Sequence, residues 1–484
     1  MNAATAKKKY SALNLKTIPF DLGKIHFIGI GGIGMSGIAE ILHNLGYKIS
    51  GSDLSDNYNV KRLKNLGIEV FIGHDAKNIE GASIIVKSTA VLNVNPEIIA
   101  AKEKKIPIVK RSEMLAELTK LKATVAISGS HGKTTTTSII GHIFDIAELE
   151  PTIINGGVIN NLGSNAKMGA GDWLVAEADE SDGTFIKIPA TIGVVTNIDP
   201  EHMDYWKDLS SLHDAFVKFI TQLPFYGFSV MNIDHSVVRE IVNRVEDRRI
   251  FTYSMSNPEA HIYCSEVVQE NSKSKFKVRI KPELLDKKTN EAKEYSFELP
   301  AVGIHNVSNS LSAIAVALGI KIDIKTIQKA LSTFGGVKRR FTIVGNAMGA
   351  TIVDDYAHHP VEINATLNAA KQYIEGKGGR VIAVMQPHRF TRLENLFNEF
   401  SECFANADEV IILPVYSAGE TPIAGVDQFA LQKAVVSKGK NAIALNRDEE
   451  LHQELKQIIK PNDVVVCMGA GTITYLAAKL PSQL

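Results

Sequence analysis

Cysteine is scarce in this chain of 484 residues: Cys264, Cys403 and Cys467 stand far apart, with none of the paired spacings of a zinc site or a disulfide framework. That scarcity points to a reducing compartment, and the cytoplasm is the expected location. Net charge is lacking too. Lysine plus arginine and aspartate plus glutamate number 53 each, so no global field draws in nucleic acid, and any phosphate affinity must come from local donors. No uncharged apolar run reaches membrane-spanning length, and Lys7-Lys8-Lys9 is followed by no apolar stretch of the signal-peptide kind. Nucleic-acid and membrane partners are therefore not expected. What remains is ordinary for a globular protein, 45% hydrophobic and 22% charged, and at roughly 100 to 200 residues per domain the length suggests about three domains.

The most informative stretch is Ser128-Gly129-Ser130-His131-Gly132-Lys133-Thr134-Thr135-Thr136-Thr137. An apolar run, Ala123 to Ile127, leads into it as a strand, and Ser138 to Ala147 leaves it with helical spacing. Strand, glycine turn and helix together cradle a phosphate: backbone amides and the helix N-terminus supply partial positive charge, Lys133 reaches the outer phosphates, and the Thr134 hydroxyl holds Mg²⁺. The usual phosphate loop has four residues between its glycines; here only Ser130 and His131 separate Gly129 from Gly132, so the turn must be tighter.

An earlier segment opens with the strand Lys24 to Ile28, then Gly29-Ile30-Gly31-Gly32-Ile33-Gly34 and a helical pattern through Leu45. A second strand, Tyr47 to Ser50, ends near Asp53, where a dinucleotide-binding fold places a ribose-binding carboxylate. Helix at Val60 to Leu66, strands at Glu69 to Ile72 and Ser83 to Lys87, helix at Glu97 to Lys104 and strand at Pro107 to Val109 continue the alternation, which argues a doubly wound parallel sheet with ligands at the strands' carboxyl ends.

After the loop, Trp173 to Glu177 reads as a strand ending in Glu177, Asp179, Glu180 and Asp182. Thr191 to Ile198 reads as another, ending in Asp199-Pro200-Glu201-His202-Met203-Asp204. A strand-end carboxylate beside the phosphate loop suits Mg²⁺, which takes hard oxygen ligands. His202 is either a capping or core histidine, or a metal or substrate contact. Between Ser254 and Leu299 the pattern becomes alternating, with Lys273, Lys275, Lys277, Arg279 and Lys281 at period two; that fits half-exposed antiparallel strands better than a nucleic-acid surface. His305, Asn306 and Asn309 precede an apolar helix, Leu311 to Leu318, where they cap it or face a nucleotide base.

A third segment follows Arg339-Arg340-Phe341. Strands at Thr351 to Asp354, Arg380 to Met385, Glu409 to Pro414 and Asp463 to Met468 alternate with helices at Val361 to Tyr373 and Leu393 to Ala405, and a last helix carries Ile473, Leu476, Ala477 and Leu480 on one face. His358 and His359 follow Asp354-Asp355-Tyr356-Ala357 at a strand end. Arg389 and Arg392 also follow a strand end, on what reads as the first turn of a helix. Cations there oppose the helix dipole, so an anionic partner such as a substrate carboxylate accounts for them better than stability does.

In order along the chain, Gly29 to Ala39, Lys87 to Ala90, Ser128 to Thr137, Glu177 to Asp182, Asn197 to Asp204, His305 to Asn309, Arg339 to Phe341, Asp354 to Pro360 and Gln386 to Arg392 resemble the Mur ligase family, and most closely its alanine-adding branch. The resemblance implies α/β architecture in three domains: a Rossmann-like UDP-sugar domain at 1–120, a central ATP-binding domain at 121–335 and a Rossmann-like amino-acid domain at 336–484. It implies ATP-dependent ligation of L-alanine to the lactyl carboxylate of UDP-N-acetylmuramate through an acyl phosphate, in cell-wall precursor synthesis, with ATP and Mg²⁺ and a monomer or homodimer.

The same resemblance distributes the residues. Gly31, Gly32, Gly34, Asp53, Ser88 and Thr89 fall to the UDP-sugar; Gly129, Ser130, His131, Gly132, Lys133, Thr134 and Thr135 to the ATP phosphates. His305, Asn306 and Asn309 fall to its base and ribose, and Arg340, Asp355 and His358 approach ATP from the third domain, whose closure completes the site. Thr134 and Glu177 take a first Mg²⁺ and His202 a second; Lys133, Glu177, His202, Arg340 and His358 are the catalytic set, and His358, Arg389 and Arg392 receive the amino acid. Several later Mur ligases carry a carbamylated lysine about 14 or 15 residues after the position of His202; here those positions are Phe216 and Val217, so that role is not carried over, and Lys218 lies one step further on. Three readings compete: a nicotinamide-dependent dehydrogenase, which leaves the central loop unexplained, an ATP-driven binding switch, and a recycling ligase that attaches a tripeptide.

Overall fold

The computed structural model describes residues 22–88, 90–181, 183–270, 273–285 and 291–484, with the backbone alone for Thr184 and Asp204. Lys7 to Lys9, Thr89 and Asp182 lie outside the described residues.

Three sheets organise the described residues. The first contains β1 (Lys24–Ile28), β2 (Lys48–Asp53), β3 (Glu69–Ile72), β4 (Ala82–Lys87) and β5 (Ile108–Lys110) in the order β3-β2-β1-β4-β5, all parallel. Ile25, Phe27 and Ile28 of β1 are fully buried, as a central parallel strand covered on both faces requires. Strand order reverses at β1, and the glycine turn Gly29–Gly32 leaves from that switch point into the helix Ile33–Asn44.

The second sheet is built from β6 (Ala123–Ser128), β7 (Thr152–Ile159), β8 (Ser164–Lys167), β9 (Trp173–Glu177), β10 (Ile192–Val195), β11 (Phe228–Asn232), β12 (Ile250–Ser254), β13 (Ile262–Glu270), β14 (Lys273–Ile280) and β15 (Lys293–Leu299). Its order is β15-β14-β13-β12-β11-β10-β6-β9-β7-β8. Parallel pairing puts the ends of β6, β9 and β10 side by side, and these ends carry the phosphate loop and the two acidic clusters. β7 and β8 form an antiparallel hairpin that the alternating pattern did not signal. Along β14, Lys273, Lys275, Lys277 and Arg279 are exposed while Ser274, Phe276, Val278 and Ile280 are buried. Lys273, Lys275 and Lys277 pair with Glu298, Glu270 and Glu266.

The third sheet has β16 (Thr342–Ala347), β17 (Ala350–Asp355), β18 (Val381–Met385), β19 (Glu409–Ile412), β20 (Ala442–Ala444) and β21 (Val464–Met468) in the order β16-β17-β21-β18-β19-β20, parallel except for the edge pair β16–β17. Alternate residues of β21 serve two cores. Val464, Val466 and Met468 pack with Ile363, Leu367, Phe400 and Phe404, whereas Val465 and Cys467 pack with Leu451, Leu455, Ile473 and Ala477.

Several boundaries depart from the sequence reading. The second strand runs to Asp53 rather than stopping at Ser50, because β3 pairs with it as far as Asp53–Ile72. The helix expected at Leu393 to Ala405 is two, Phe390–Asn395 and Phe397–Glu402. Leu396 leaves helical geometry between them, and Leu393 and Phe400 both reach one core. The helix expected from Leu311 begins at Ile304, so His305, Asn306 and Asn309 lie within it rather than ahead of it. By compactness the chain divides into two units: one of Met1–Glu266, Lys277–Phe297 and Ser308–Gly335, the other of Val267–Phe276, Glu298–Val307 and Gly336–Leu484. All three cysteines are buried free thiols, and no helix among the described residues is long and apolar enough to cross a membrane.

Candidate active site

The phosphate loop is tight because the next strand end holds it. Asn197, just past β10, accepts from the Ser130 amide through its carbonyl (3.1 Å) and from the His131 amide through Oδ1 (2.8 Å), while its own Nδ2 donates to the His131 carbonyl (3.1 Å). Thr196 Oγ1 donates to the same carbonyl at 2.6 Å, and the Asp199 amide donates to Ser130 Oγ at 2.8 Å. Gly132 then turns the chain into the helix Lys133–Ile146 with a φ of +84°, and a Cβ there would lie 2.6 Å from Asn309 Oδ1. Thr134 and Thr135 sit buried in the first helical turn, whose amides find no partner inside the helix. The His131 imidazole lies 3.4 Å from both Asp199 and Glu201.

Lys133 is nearly buried. Its Nζ donates to the carbonyls of Gly129 and Ser130 and, at 3.0 and 3.1 Å, to both oxygens of Glu180. Burial works against the ammonium, but Glu180, Asp179, Glu177 and Glu201 outweigh it and hold its pKa above the ordinary lysine value. Among the acids, burial pushes Glu180 up to about 7, with Lys133 opposing and Asp179 adding to the rise. Burial also raises Asp179, but Lys133 and Arg111 overcome it and leave that carboxyl below its usual value. Glu180 is anchored by Trp206, whose Nε1 donates to its carbonyl at 3.1 Å.

Thr134 Oγ1 donates to Glu177 Oε2 at 3.0 Å, and the Gly156 amide of β7 donates to the same oxygen at 2.8 Å. A Cβ on Gly156 would stand 2.4 Å from it, so only glycine lets the strand approach this closely. Behind the pair, Asn155 Nδ2 donates to Ser138 Oγ, which donates to the Thr134 carbonyl. Ligand atoms of Asp179, Glu180 and His202 lie within 4.8 Å of one another. His202 occupies the cap position of the short helix Met203–Trp206 with φ +56°, and its side chain makes no capping bond. Phe216 is fully buried in the core and Lys218 is exposed on the helix Leu209–Thr221.

In the first sheet, the Gly29 and Ile30 amides donate to the Ser52 carbonyl, and the Gly31 amide donates to Asp53 Oδ2 at 2.9 Å. Asp53 thus braces the glycine turn from the next strand. Gly32 caps the helix Ile33–Asn44, and a Cβ on Gly34, in its first turn, would lie 2.6 Å from an Arg111 guanidinium nitrogen. Arg111 also donates to Asp179 at 3.3 Å, so one side chain touches both the glycine turn's helix and the acidic cluster. Ser88, at the end of β4, donates its amide to the Ile28 carbonyl.

The second unit holds its own cluster. Asp355 is buried, with Oδ2 accepting from the Phe341 amide (2.6 Å) and Oδ1 from the Ala357 amide (2.8 Å), so it ties the Arg339–Phe341 turn to β17. The Arg340 guanidinium lies 3.9 Å from Glu362 and 5.5 Å from the Tyr356 ring centre. His358 Nδ1 contacts the Tyr356 carbonyl (2.9 Å) and Glu362 (3.3 Å). Arg389 is not on a first helical turn: it stands just ahead of the helix Phe390–Asn395, at φ +73° and half exposed, and Arg392 lies inside that helix. Glu420 takes the Thr391 amide and so caps the helix start. His388, missed in the sequence reading, stacks on Tyr416 at 5.3 Å and lies 6.1 Å from His358. Burial first, then Arg392, pushes His388 down to about 4; burial, with Glu362 opposing and Arg392 assisting, pushes His358 down to about 3. Asn306 Nδ2 donates to the Val302 carbonyl at 2.7 Å, and His305 is exposed beside Gly303.

Three family models match successive stretches of the chain. Residues 24–123 match the Mur ligase family catalytic domain, 127–317 the Mur ligase middle domain and 339–471 the Mur ligase glutamate ligase domain. A UDP-N-acetylmuramate–L-alanine ligase of Methylobacterium radiotolerans is 54% identical over 471 residues, covering 96% of this chain and 98% of that protein. One of Bradyrhizobium diazoefficiens is 51% identical over 469 residues, covering 96% and 99%. Among solved structures, the UDP-N-acetylmuramate–alanine ligase of Thermotoga maritima superposes with a TM-score of 0.80 at 27% identity, covering 95% of this chain and 99% of that one. The MurF ligase of the same organism, solved in complex with ADP, shares the fold at a TM-score of 0.59 and 14% identity, covering 90% and 94%.

Proposed function

The chain belongs to the Mur ligase family, and from that premise we propose how its residues carry the reaction. It is an ATP-dependent ligase of peptidoglycan precursor synthesis that joins L-alanine to UDP-N-acetylmuramate. The observation that carries the residue assignment is the buried Lys133 ammonium beside the Thr134–Glu177 pair, at a strand end crowded with carboxylates. That pair fits Mg²⁺: two hard oxygen donors 3.0 Å apart, with the space beside them kept open by Gly156. His202, with Asp179 and Glu180, offers a second set of donors. Bound Mg²⁺ would supply charge neutralisation where the substrate carboxylate meets the γ-phosphate.

In this reading a carboxylate oxygen of the lactyl group attacks the γ-phosphorus, the bond to ADP breaks, and an acyl phosphate results. The amine nitrogen of L-alanine then attacks the acyl carbon, the carbon–oxygen bond to phosphate breaks, and inorganic phosphate leaves as the amine loses a proton. Gly129, Ser130, His131, Gly132 and Thr135 are assigned to the phosphates, Ser130 and His131 by shaping the loop that Asn197 holds, and Lys133 to the outer ones. Gly31, Gly32, Gly34, Asp53 and Ser88 take the UDP-sugar, with Thr89 beside them in sequence. Asn309, which packs over Gly132, is assigned to the nucleotide with His305 and Asn306. Arg340, Asp355 and His358 are proposed for ATP, Asp355 by holding the Arg340 turn. Arg389 and Arg392 are proposed for the amino-acid carboxylate, beside the imidazoles of His358 and His388, which are kept neutral. The cytoplasm is the inferred compartment, and a monomer or homodimer the inferred state.

Release of ADP with UDP-N-acetylmuramate, Mg²⁺ and one of L-alanine, glycine, L-serine or tripeptide tests the reading. L-alanine is expected to give the highest kcat/KM. Turnover with the tripeptide alone would make the chain a recycling ligase, and no turnover with any amine would overturn the ligase reading.

A further inference from the structure

Behind the glycine turn of the first sheet lies a buried polar cluster that the reaction scheme above does not use. Glu97, in the first turn of the helix Pro96–Glu103, is fully buried. Its Oε2 accepts from Ser52 Oγ at 2.6 Å and lies 3.4 Å from His74 Nδ1 and 3.7 Å from His26 Nε2; its Oε1 accepts from Asn78 Nδ2 at 2.6 Å. Burial works against the charge, yet bonds from His26, Ser52 and Asn78 outweigh it and hold the carboxyl below its ordinary value, so it is an acceptor only at neutral pH.

That fixes the order of protons along the cluster. The single hydroxyl hydrogen of Ser52 is spent on Glu97, so Ser52 Oγ, 3.1 Å from His74 Nδ1, can only accept there. His74 therefore carries its proton on Nδ1, and in the neutral ring Nε2 is an acceptor. No described residue bonds Nε2. The ring stands at the carboxyl edge of the sheet: the Gly73 amide donates to the Asp53 carbonyl at 2.8 Å, which places His74 next to the strand end that braces the glycine turn.

We propose that Glu97 is a positioning residue which, through Ser52, sets the tautomer of His74 so that Nε2 accepts from the imide N–H of a uracil base and disfavours cytosine, whose ring nitrogen at that place is itself an acceptor. The proposal rests on the reading of this edge as the UDP-sugar site. The neighbouring geometry makes Glu97→Gln informative. Asn78 Nδ2 also donates to the Gly73 carbonyl at 3.2 Å, so it stays a donor and keeps the amide oxygen of the new side chain. The new NH₂ then faces Ser52, Ser52 turns its hydrogen toward His74 Nδ1, and the imidazole proton moves to Nε2.

Two measurements decide this. In the wild-type enzyme labelled with ¹⁵N-histidine, His74, assigned by its loss in His74→Gln, is expected to show a protonated Nδ1 and to shift on addition of UDP. In calorimetry the wild type is expected to bind UDP more tightly than CDP, and Glu97→Gln to narrow that ratio by about tenfold, the worth of one hydrogen bond, with kcat at saturating substrates within about twofold. A wild-type His74 protonated on Nε2, or an unchanged ratio in a folded Glu97→Gln, overturns the proposal while leaving the UDP-sugar site in place. A His74 signal indifferent to UDP overturns the reading of the site and the proposal with it. Should the variant fail to fold, the wild-type tautomer decides.

Discussion

Two turns of one chain, Gly29–Gly32 and Gly129–Gly132, have the same local form, strand to glycine turn to helix, and differ in what surrounds them. The first is braced by its neighbouring strand: the Ser52 carbonyl and the Asp53 carboxylate take three successive turn amides. The second is braced by Asn197 and Thr196 and ends in a lysine ringed by Glu177, Asp179, Glu180 and Glu201. A glycine turn at a parallel strand end is thus a generic anion seat, and the side chains from adjacent strand ends decide its chemistry. In the proposed assignment the first turn takes the UDP-sugar, and the second, where the Lys133 ammonium and hard oxygens converge, takes the phosphates of ATP.

The strongest way to break this contrast is Lys133→Ala. ADP formation is expected to fall ~10³-fold or more while UDP binding by calorimetry persists, since the substituted group belongs to the second turn only. Near-normal turnover, or loss of UDP binding, would sink it. Next comes Gly156→Ala, whose added methyl group displaces Glu177. We expect kcat to drop ~10²-fold and the Mg²⁺ concentration for half-maximal rate to rise, because small misplacements at a reacting centre are costly. Unaltered Mg²⁺ dependence would remove Glu177 from the metal assignment. Asp53→Ala tests the first turn: a KM for UDP-N-acetylmuramate raised about tenfold with the KM for ATP unmoved is the expected split.

The mildest test concerns Arg111, which touches both regions. A carboxyl held below its ordinary value stabilises the fold above that value and loses the contribution as pH falls through its folded value; Asp179 is such a group, kept low against burial by Lys133 and Arg111. In Arg111→Ala the acid unfolding transition, followed by circular dichroism, is expected to begin at higher pH than in the wild type. An unchanged acid limb would show that Lys133 alone sets Asp179.

Much of this was legible without coordinates, where the signal is local. Gly132-Lys133-Thr134 after an apolar run, the acidic residues ending Trp173 to Glu177 and the glycine turn after Ile28 are each contained in a dozen residues, and the structure has them at strand ends as the alternation suggests. Partnerships were not legible. Lys133 meets Glu180 across 47 positions, Asn197 closes on His131 across 66, and Glu97 reaches Ser52 across 45. None of these pairs leaves a periodic trace. The helix starting at Ile304 was read as starting seven residues too late, because Asn306 and Asn309 look like caps. In the fold Asn306 bonds back to Val302 and Asn309 covers Gly132. The break at Leu396 likewise answers to a core assembled from distant strands.

The sequence by itself determined which stretches become strand, turn and helix, and which residue types stand at strand ends, because apolar periodicity and glycine placement act over one or two turns of chain. Tertiary structure alone decided which acid faces the lysine, which asparagine tightens the loop and which serine stands between a buried glutamate and a histidine. Those choices depend on strand order in a parallel sheet, where residues far apart in sequence become neighbours and burial makes each unpaired charge or donor costly.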